Sequence, residues 1–121
     1  MILADTSVWV DHLRRTNATL SELLEAGKIV CHPFVIGELA CGNIHNRSEL
    51  LTHLAALDAL PKAHDSEVLG LIDREELIGK GIGLIDLHLL ASCLLGNAGL
   101  WTLDRRLRQA AIQLELTWET E

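Results

Sequence analysis

Apolar residues come in short blocks along this chain, and each block ends on a residue that stops a strand or a helix. Ile2, Leu3 and Ala4 form an apolar run that ends in Asp5 and predicts a strand. Two hydroxyls, Thr6 and Ser7, lead into a helix-like stretch over 8–13. Residues 19–26 are apolar at helical spacing, with Gly27 as the stop. A short β-branched run predicts a second strand over 28–31, which His32-Pro33 breaks. Pro33 is suited to open the next helix, 34–41, and Gly42 to end it. Two more helices are expected: one from Asn46 to about Leu60, halted by Pro61, and one from Asp65 through Ile78. The second is capped by Asp65-Ser66-Glu67 and closed by Gly79-Lys80-Gly81. The most apolar helix, 84–95, has only Asp86 and His88 as ionisable groups. After a turn at 96–99 come a strand over 100–103 ending at Asp104, a helix over 105–112 and a last strand over 113–118.

Strands alternating with helices predict an α/β fold with a small, mainly parallel sheet. At 121 residues the chain reads as a single domain, 1–121, and 49% hydrophobic residues supply a core. No apolar stretch is long and charge-free enough to span a bilayer, and the start lacks the basic region of a signal peptide. The expectation is a soluble cytoplasmic protein with no membrane partner. Cys31, Cys41 and Cys93 are odd in number and follow no zinc or redox spacing, so they read as buried free thiols. Cys31, His32, Cys41 and His45 likewise match no common zinc pattern.

The formal net charge of −7 excludes general adhesion to nucleic acid, which depends on Lys and Arg neutralising phosphates. It does not exclude a nucleic-acid substrate, because carboxylates that hold a divalent cation are largely neutralised by it. Of the 17 acids, seven lie on polar faces of amphipathic helices and six more read as ordinary surface or capping groups, so a solvated surface explains them. Asp5, Glu38, Asp86 and Asp104 stand out. Asp5 and Asp104 each follow a strand and open a helix. The ordinary reading is an N-cap for each, but two strand-end acids in one small parallel sheet fall on the same edge. Asp86 interrupts a helix that is apolar nearly all round and so predicted to be buried; Glu38 sits in another apolar helix, Phe34-Val35-Ile36-Gly37-Glu38-Leu39. Carboxylates gathered without a matching cation repel and raise one another's pKa. Mg²⁺ or Mn²⁺, which take oxygen ligands, would remove that conflict and serve phosphodiester hydrolysis. The hydroxyls of Thr6, Ser7 and Thr102 are the right type to orient such acids.

Four stretches, in order, carry a family likeness: Asp5-Thr6-Ser7-Val8-Trp9, Ile36-Gly37-Glu38-Leu39, Leu84-Ile85-Asp86-Leu87-His88 and Trp101-Thr102-Leu103-Asp104. Together they resemble the acidic motifs of PIN-domain ribonucleases, and most nearly the VapC-type toxins of toxin–antitoxin pairs. The resemblance covers essentially the whole chain. It implies a three-layer α/β/α sandwich and a Mg²⁺- or Mn²⁺-dependent endoribonuclease cutting RNA. It also implies a homodimer and a VapB-type antitoxin as inhibitor. Asp5, Glu38, Asp86 and Asp104 carry over as the catalytic and metal-holding acids, with Thr102 as a helper. One departure concerns the turn after Asp104. Many relatives have a further acid or amide there, where this chain has Arg105-Arg106-Leu107-Arg108, which leaves one or two metal positions open.

Arg105, Arg106 and Arg108 fall near the start of a helix, where cations are least favoured, so they are candidates to face RNA phosphates. Arg14 and Arg15, beyond the first helix, are candidates too; a solvated basic face is the competing reading for all five. Trp9 and Trp101 lie in apolar runs and read as core or interface residues. Two other functions remain open on the residues alone. One is a receiver-like signalling module, which would want a late Lys, whereas Lys28, Lys62 and Lys80 all precede the Asp86 helix. The other is a catalytically silent scaffold that acts by binding its partner.

Overall fold

A computed structural model describes residues 1–120. The elements, in order, are β1 (Ile2–Ala4), α1 (Thr6–Arg14), α2 (Ala18–Glu25), β2 (Ile29–Val30) and α3 (Pro33–Ala40). They continue with α4 (Arg47–Ala56), α5 (Asp65–Arg74), α6 (Leu84–Gly96), β3 (Gly99–Trp101) and α7 (Arg105–Gln113). The fold is α/β, as the alternation predicts.

The three strands form one parallel sheet in the order β2-β1-β3, with Leu3 opposite both Val30 and Leu100. From β1 the chain crosses to one neighbour and then back past β1 to the other. Right-handed crossovers in opposite directions place their helices on opposite faces of the sheet. They also make the carboxyl end of β1 a point where the strand order reverses, the crevice in which α/β proteins build their sites. Ile2, Leu3 and Ala4 are all buried, as a central strand covered on both faces requires. Helices α1 and α3 pack together on the way from β1, and α6 and α7 pack on β3.

Several boundaries differ from the sequence expectation. Helix α4 stops at Ala56 rather than near Leu60, because the chain turns extended and runs beside β2. Cys31 N–H donates to Asp58 O at 2.8 Å and Leu60 N–H to Cys31 O at 2.9 Å. Helix α5 ends at Arg74, not Ile78: Glu76 takes a left-handed backbone (φ 54) and Leu77 folds back into the core. The cap of α5 is His64, whose N–H donates to Glu67 Oε1 at 2.9 Å, so Asp65 is the first helical residue. The expected strand over 113–118 is reduced to a bridge from Thr117 to Leu100. Helix α7 runs to Gln113, and Glu115 (φ 59) turns the chain onto β3, where Trp118 packs on Trp101 at 4.9 Å between ring centroids. Cys31 and Cys93 are buried thiols, but Cys41 is exposed at the end of α3. Trp9 and Trp101 are in the core. Among the described residues no helix is long and apolar enough to cross a membrane.

Candidate metal centre

Parallel pairing sets the site. Asp5 N–H donates to Trp101 O at 3.0 Å, which brings the residue after β1 level with the residue after β3. Asp5 is buried (4% exposed), and its side chain does two jobs. As N-cap of α1 it accepts from Val8 N–H at 3.2 Å, and it also accepts from Ser7 Oγ at 2.5 Å and from the Thr102 hydroxyl. Thr102 is itself 4% exposed and accepts from Asp104 N–H at 3.0 Å, while Ser7 Oγ accepts from Leu103 N–H at 2.9 Å. Hydroxyls from the two strand ends therefore clamp one carboxylate. Burial pushes the Asp5 carboxyl above its ordinary pKa, and the hydrogen bonds from Ser7, Thr102 and Val8 pull it back.

The other three acids ring this centre. Asp104 caps α7 through Leu107 N–H at 3.0 Å and is exposed. Glu38, exposed on α3, accepts from Thr6 Oγ1 at 2.6 Å, which ties α3 to the start of α1. Asp86 lies in the first turn of α6 and is half-buried, less enclosed than the apolar helix suggests, because Leu84 and Ile85 beside it face solvent. Its pKa rises to about 6. Burial is the main cause, and the charges of Asp5, Glu38 and Asp104 add to it. That mutual repulsion places all four sequence-predicted acids in one neighbourhood. Among the described residues none of the four meets a Lys, Arg or His; the ion pairs engage Asp11, Asp65, Glu75 and Glu119 instead.

An uncompensated, all-oxygen donor set fits a hard divalent cation. Among the described residues no three His, Cys, Asp or Glu side chains form a ready-made cage. An open rim of this kind suits Mg²⁺, which is usually held by one or two carboxylates together with waters and substrate phosphates. Zinc through Cys31 and His32 is ruled out by the hydrogen bonding. His32 Nδ1 accepts from Phe34 N–H and Nε2 bonds Ser92 Oγ, both ring nitrogens being spent inside the core.

The chain matches the PIN domain family over residues 2–113. It is a PIN-domain protein of the VapC type. Ribonuclease VapC32 from two strains of Mycobacterium tuberculosis is 48% identical over 114 residues, which span 93% of this chain and 92% of the relative. The crystal structure of PAE2754 from Pyrobaculum aerophilum shares the fold, with a TM-score of 0.60 at 16% identity. That match covers 95% of this chain and 88% of the other. PIN membership sets the receiver-like alternative aside.

The five arginines part company in the PIN fold. Arg14 and Arg15 close α1, about 14 Å along the helix axis from Asp5, and Arg15 pairs with Asp11 at 3.6 Å. Arg108 reaches Glu119 at 3.9 Å. Arg105 and Arg106, exposed in the first turn of α7, stand next to Asp104. Sequence reasoning passed over Lys80, which lies beside Arg106; its only sequence signal is a cation flanked by two turn glycines.

Proposed function

We propose that this protein is a divalent-metal-dependent endoribonuclease, the cytoplasmic toxin of a toxin–antitoxin pair. One observation supports the reading: burial, and then the charges of Asp5, Glu38 and Asp104, raise the Asp86 pKa to about 6, and among the described residues none of the four acids has a cationic partner. RNA as the substrate rests on the likeness to Ribonuclease VapC32. A homodimer and a VapB-type antitoxin complete the reading. Sedimentation of the purified chain tests the first, and co-expression with a protein encoded beside it tests the second.

Asp5, Asp86 and Asp104 would hold Mg²⁺ or Mn²⁺, with Glu38 completing the ring. The ion, when bound, supplies Lewis-acid charge for the phosphodiester and lowers the pKa of a water. The chain's own residues prepare that chemistry. Ser7 and Thr102 donate to opposite oxygens of Asp5, so the carboxylate cannot rotate. Thr6 holds Glu38 from a neighbouring helix. Asp86 must give up its proton before it can ligate, so protons compete with the metal and metal affinity should weaken as pH falls below about 6. Arg105 and Arg106 offer positive charge to the strand beside these acids.

End-labelled RNA incubated with the purified protein tests the reading. Cleavage is expected with Mg²⁺ or Mn²⁺, and none with EDTA or with Asp5→Asn. Intact RNA under every metal condition would leave only the silent scaffold.

A further inference from the structure

Building on the ribonuclease reading, we propose that Lys80, Arg106 and Gln109 form a subsite for one backbone phosphate of the RNA strand, beside the acidic edge. The three line a pocket of ≈ 80 Å³ with Ala110 and Gln113, and Gln113 Nε2 is already committed to Glu75 O at 2.7 Å. That volume is well below the roughly 300–1,000 Å³ of pockets for whole small molecules, and suits a single anionic group.

Two separate stretches of chain build the pocket. Gly81 has φ +73, and a Cβ there would come within 2.9 Å of Arg106 Nη1 and 3.0 Å of its Cδ. Glycine suits the left-handed turn at this position, and its bare backbone leaves room for the Arg106 side chain to lie against it. Arg106 and Lys80 thereby line the same pocket. Among the described residues neither Lys80 nor Arg106 meets an acid, whereas Arg15, Arg74 and Arg108 each do. In a chain of net charge −7, two free cations in one small pocket form the inverse of the acidic cluster, a site short of an anion. A forked guanidinium and a point-charge ammonium are the usual pair for phosphate oxygens.

Position selects the strand as the source of that phosphate. The segment holding Lys80 and Gly81 leads into α6, which carries Asp86, and Arg106 follows Asp104 in α7. The pocket is thus close along the chain to two of the acids, six residues from Asp86 through Lys80 and two from Asp104 through Arg106, which makes the RNA strand the nearest source of a phosphate.

The test is fluorescence anisotropy of labelled single-stranded RNA with the full chain in EDTA, between 50 and 200 mM salt. It needs no cleavage. The double variant Lys80→Ala/Arg106→Gln should lower the log–log salt slope by about 0.7, the value for one phosphate on a single strand. Both side chains are exposed, so the fold is expected to survive; Lys80→Arg, which keeps the charge, should bind as wild type does. An unchanged slope, with wild type still binding and cutting RNA, removes the subsite and leaves the ribonuclease reading standing. A wild type that neither binds nor cuts removes both. Inorganic phosphate alone, followed by ¹⁵N shifts at residues 80 and 106, should bind far more weakly than the strand. Equal affinity would make this a free-anion site and overturn the proposal. So would displacement of the RNA from wild type, but not from the variant, by a polyglutamate peptide, which would assign the pocket to a protein carboxylate.

Discussion

Asp5 and His32 are both buried, titratable and hydrogen-bonded, yet their surroundings differ in kind. His32 has 0% exposure and a closed set of partners: Phe34 N–H on one ring nitrogen, Ser92 Oγ on the other, and the Phe34 ring 5.2 Å away. Burial, with His88 and Lys62 near it, pushes its pKa down to about 4, so the ring stays neutral and acts as a structural cap for α3. Asp5 also has its donors, but its charge acts with those of Glu38 and Asp104 on half-buried Asp86, and among the described residues no cation answers them. A closed polar network fixes a structure; an open one of like charge is stable only with something bound. The two regions are joined, because His32 caps the helix α3 that carries Glu38, and α6 carries both Ser92 and Asp86. The neutral pair sets the spacing of two helices whose other ends meet at the acids.

Substitution at each centre should move stability in opposite directions. Asp5→Asn keeps a good N-cap for Val8 N–H while removing one charge from the cluster. It should lower cleavage on the order of 10²–10³-fold yet melt at the same or a higher temperature in EDTA. Millimolar Mg²⁺ should raise the melting temperature of wild type by binding the native state, and raise that of the variant less. A variant that melts lower than wild type in EDTA would show that the acids do not strain the fold.

His32→Ala should do the reverse. It leaves a cavity, an uncapped Phe34 N–H and a buried Ser92 hydroxyl without its ring partner. Those losses together should destabilise by about 2–4 kcal/mol in urea unfolding. His32→Asn, which can still cap α3, should recover part of it. Equal stability of His32→Ala and wild type would remove the distinction between a closed and an open network.

How much of this was legible follows from how local each feature is. Asp5 and Asp104 were readable because a strand, an acid and a helix start are adjacent in sequence, and the parallel pairing then makes them neighbours. Asp86 was visible as an anomaly, but its burial was overstated because the exposure of Leu84 and Ile85 depends on where α6 meets the rest of the fold. Glu38 was faint on its own, since a helical Glu is ordinary; its apolar neighbours singled it out, and the family likeness gave it a role. The bridges at Ala59 and Thr117 involve one residue each and leave no period-two pattern to find. Lys80 was hidden for a different reason: Arg106, which lines the same pocket, lies in a helix 26 residues further along the chain.

Thr102→Val tests the clamp alone. The methyl keeps the shape of a residue that is 4% exposed, while the bond to Asp5 and the one from Asp104 N–H are lost. Loss of an orienting partner of this type is worth roughly 10–100-fold in metal affinity or activity. The expected result is a cleavage deficit in that range, with metal affinity reduced by calorimetry. Wild-type cleavage and affinity would mean that Ser7 and Val8 N–H suffice to hold Asp5.

The smallest effect is a matter of slope. His32 has its folded pKa lowered from 6.5 to about 4, so the unfolded chain takes up the proton first and stability falls as pH drops from 6.5 towards 4. Asp86 works the other way. Its folded pKa is raised from 3.8 to about 6, so the folded chain protonates first and stability is regained as pH drops from 6 to 3.8. The two windows overlap and their contributions oppose, which should leave wild-type stability in EDTA nearly flat between pH 6 and 4 from this pair. Asp86→Asn removes the acid's share and should expose the histidine's: a steeper loss of stability on acidification than wild type shows. His32→Asn should give the opposite tilt. Parallel pH profiles for the three proteins, measured by urea unfolding in EDTA, would mean that neither buried group titrates differently in the folded and unfolded chains.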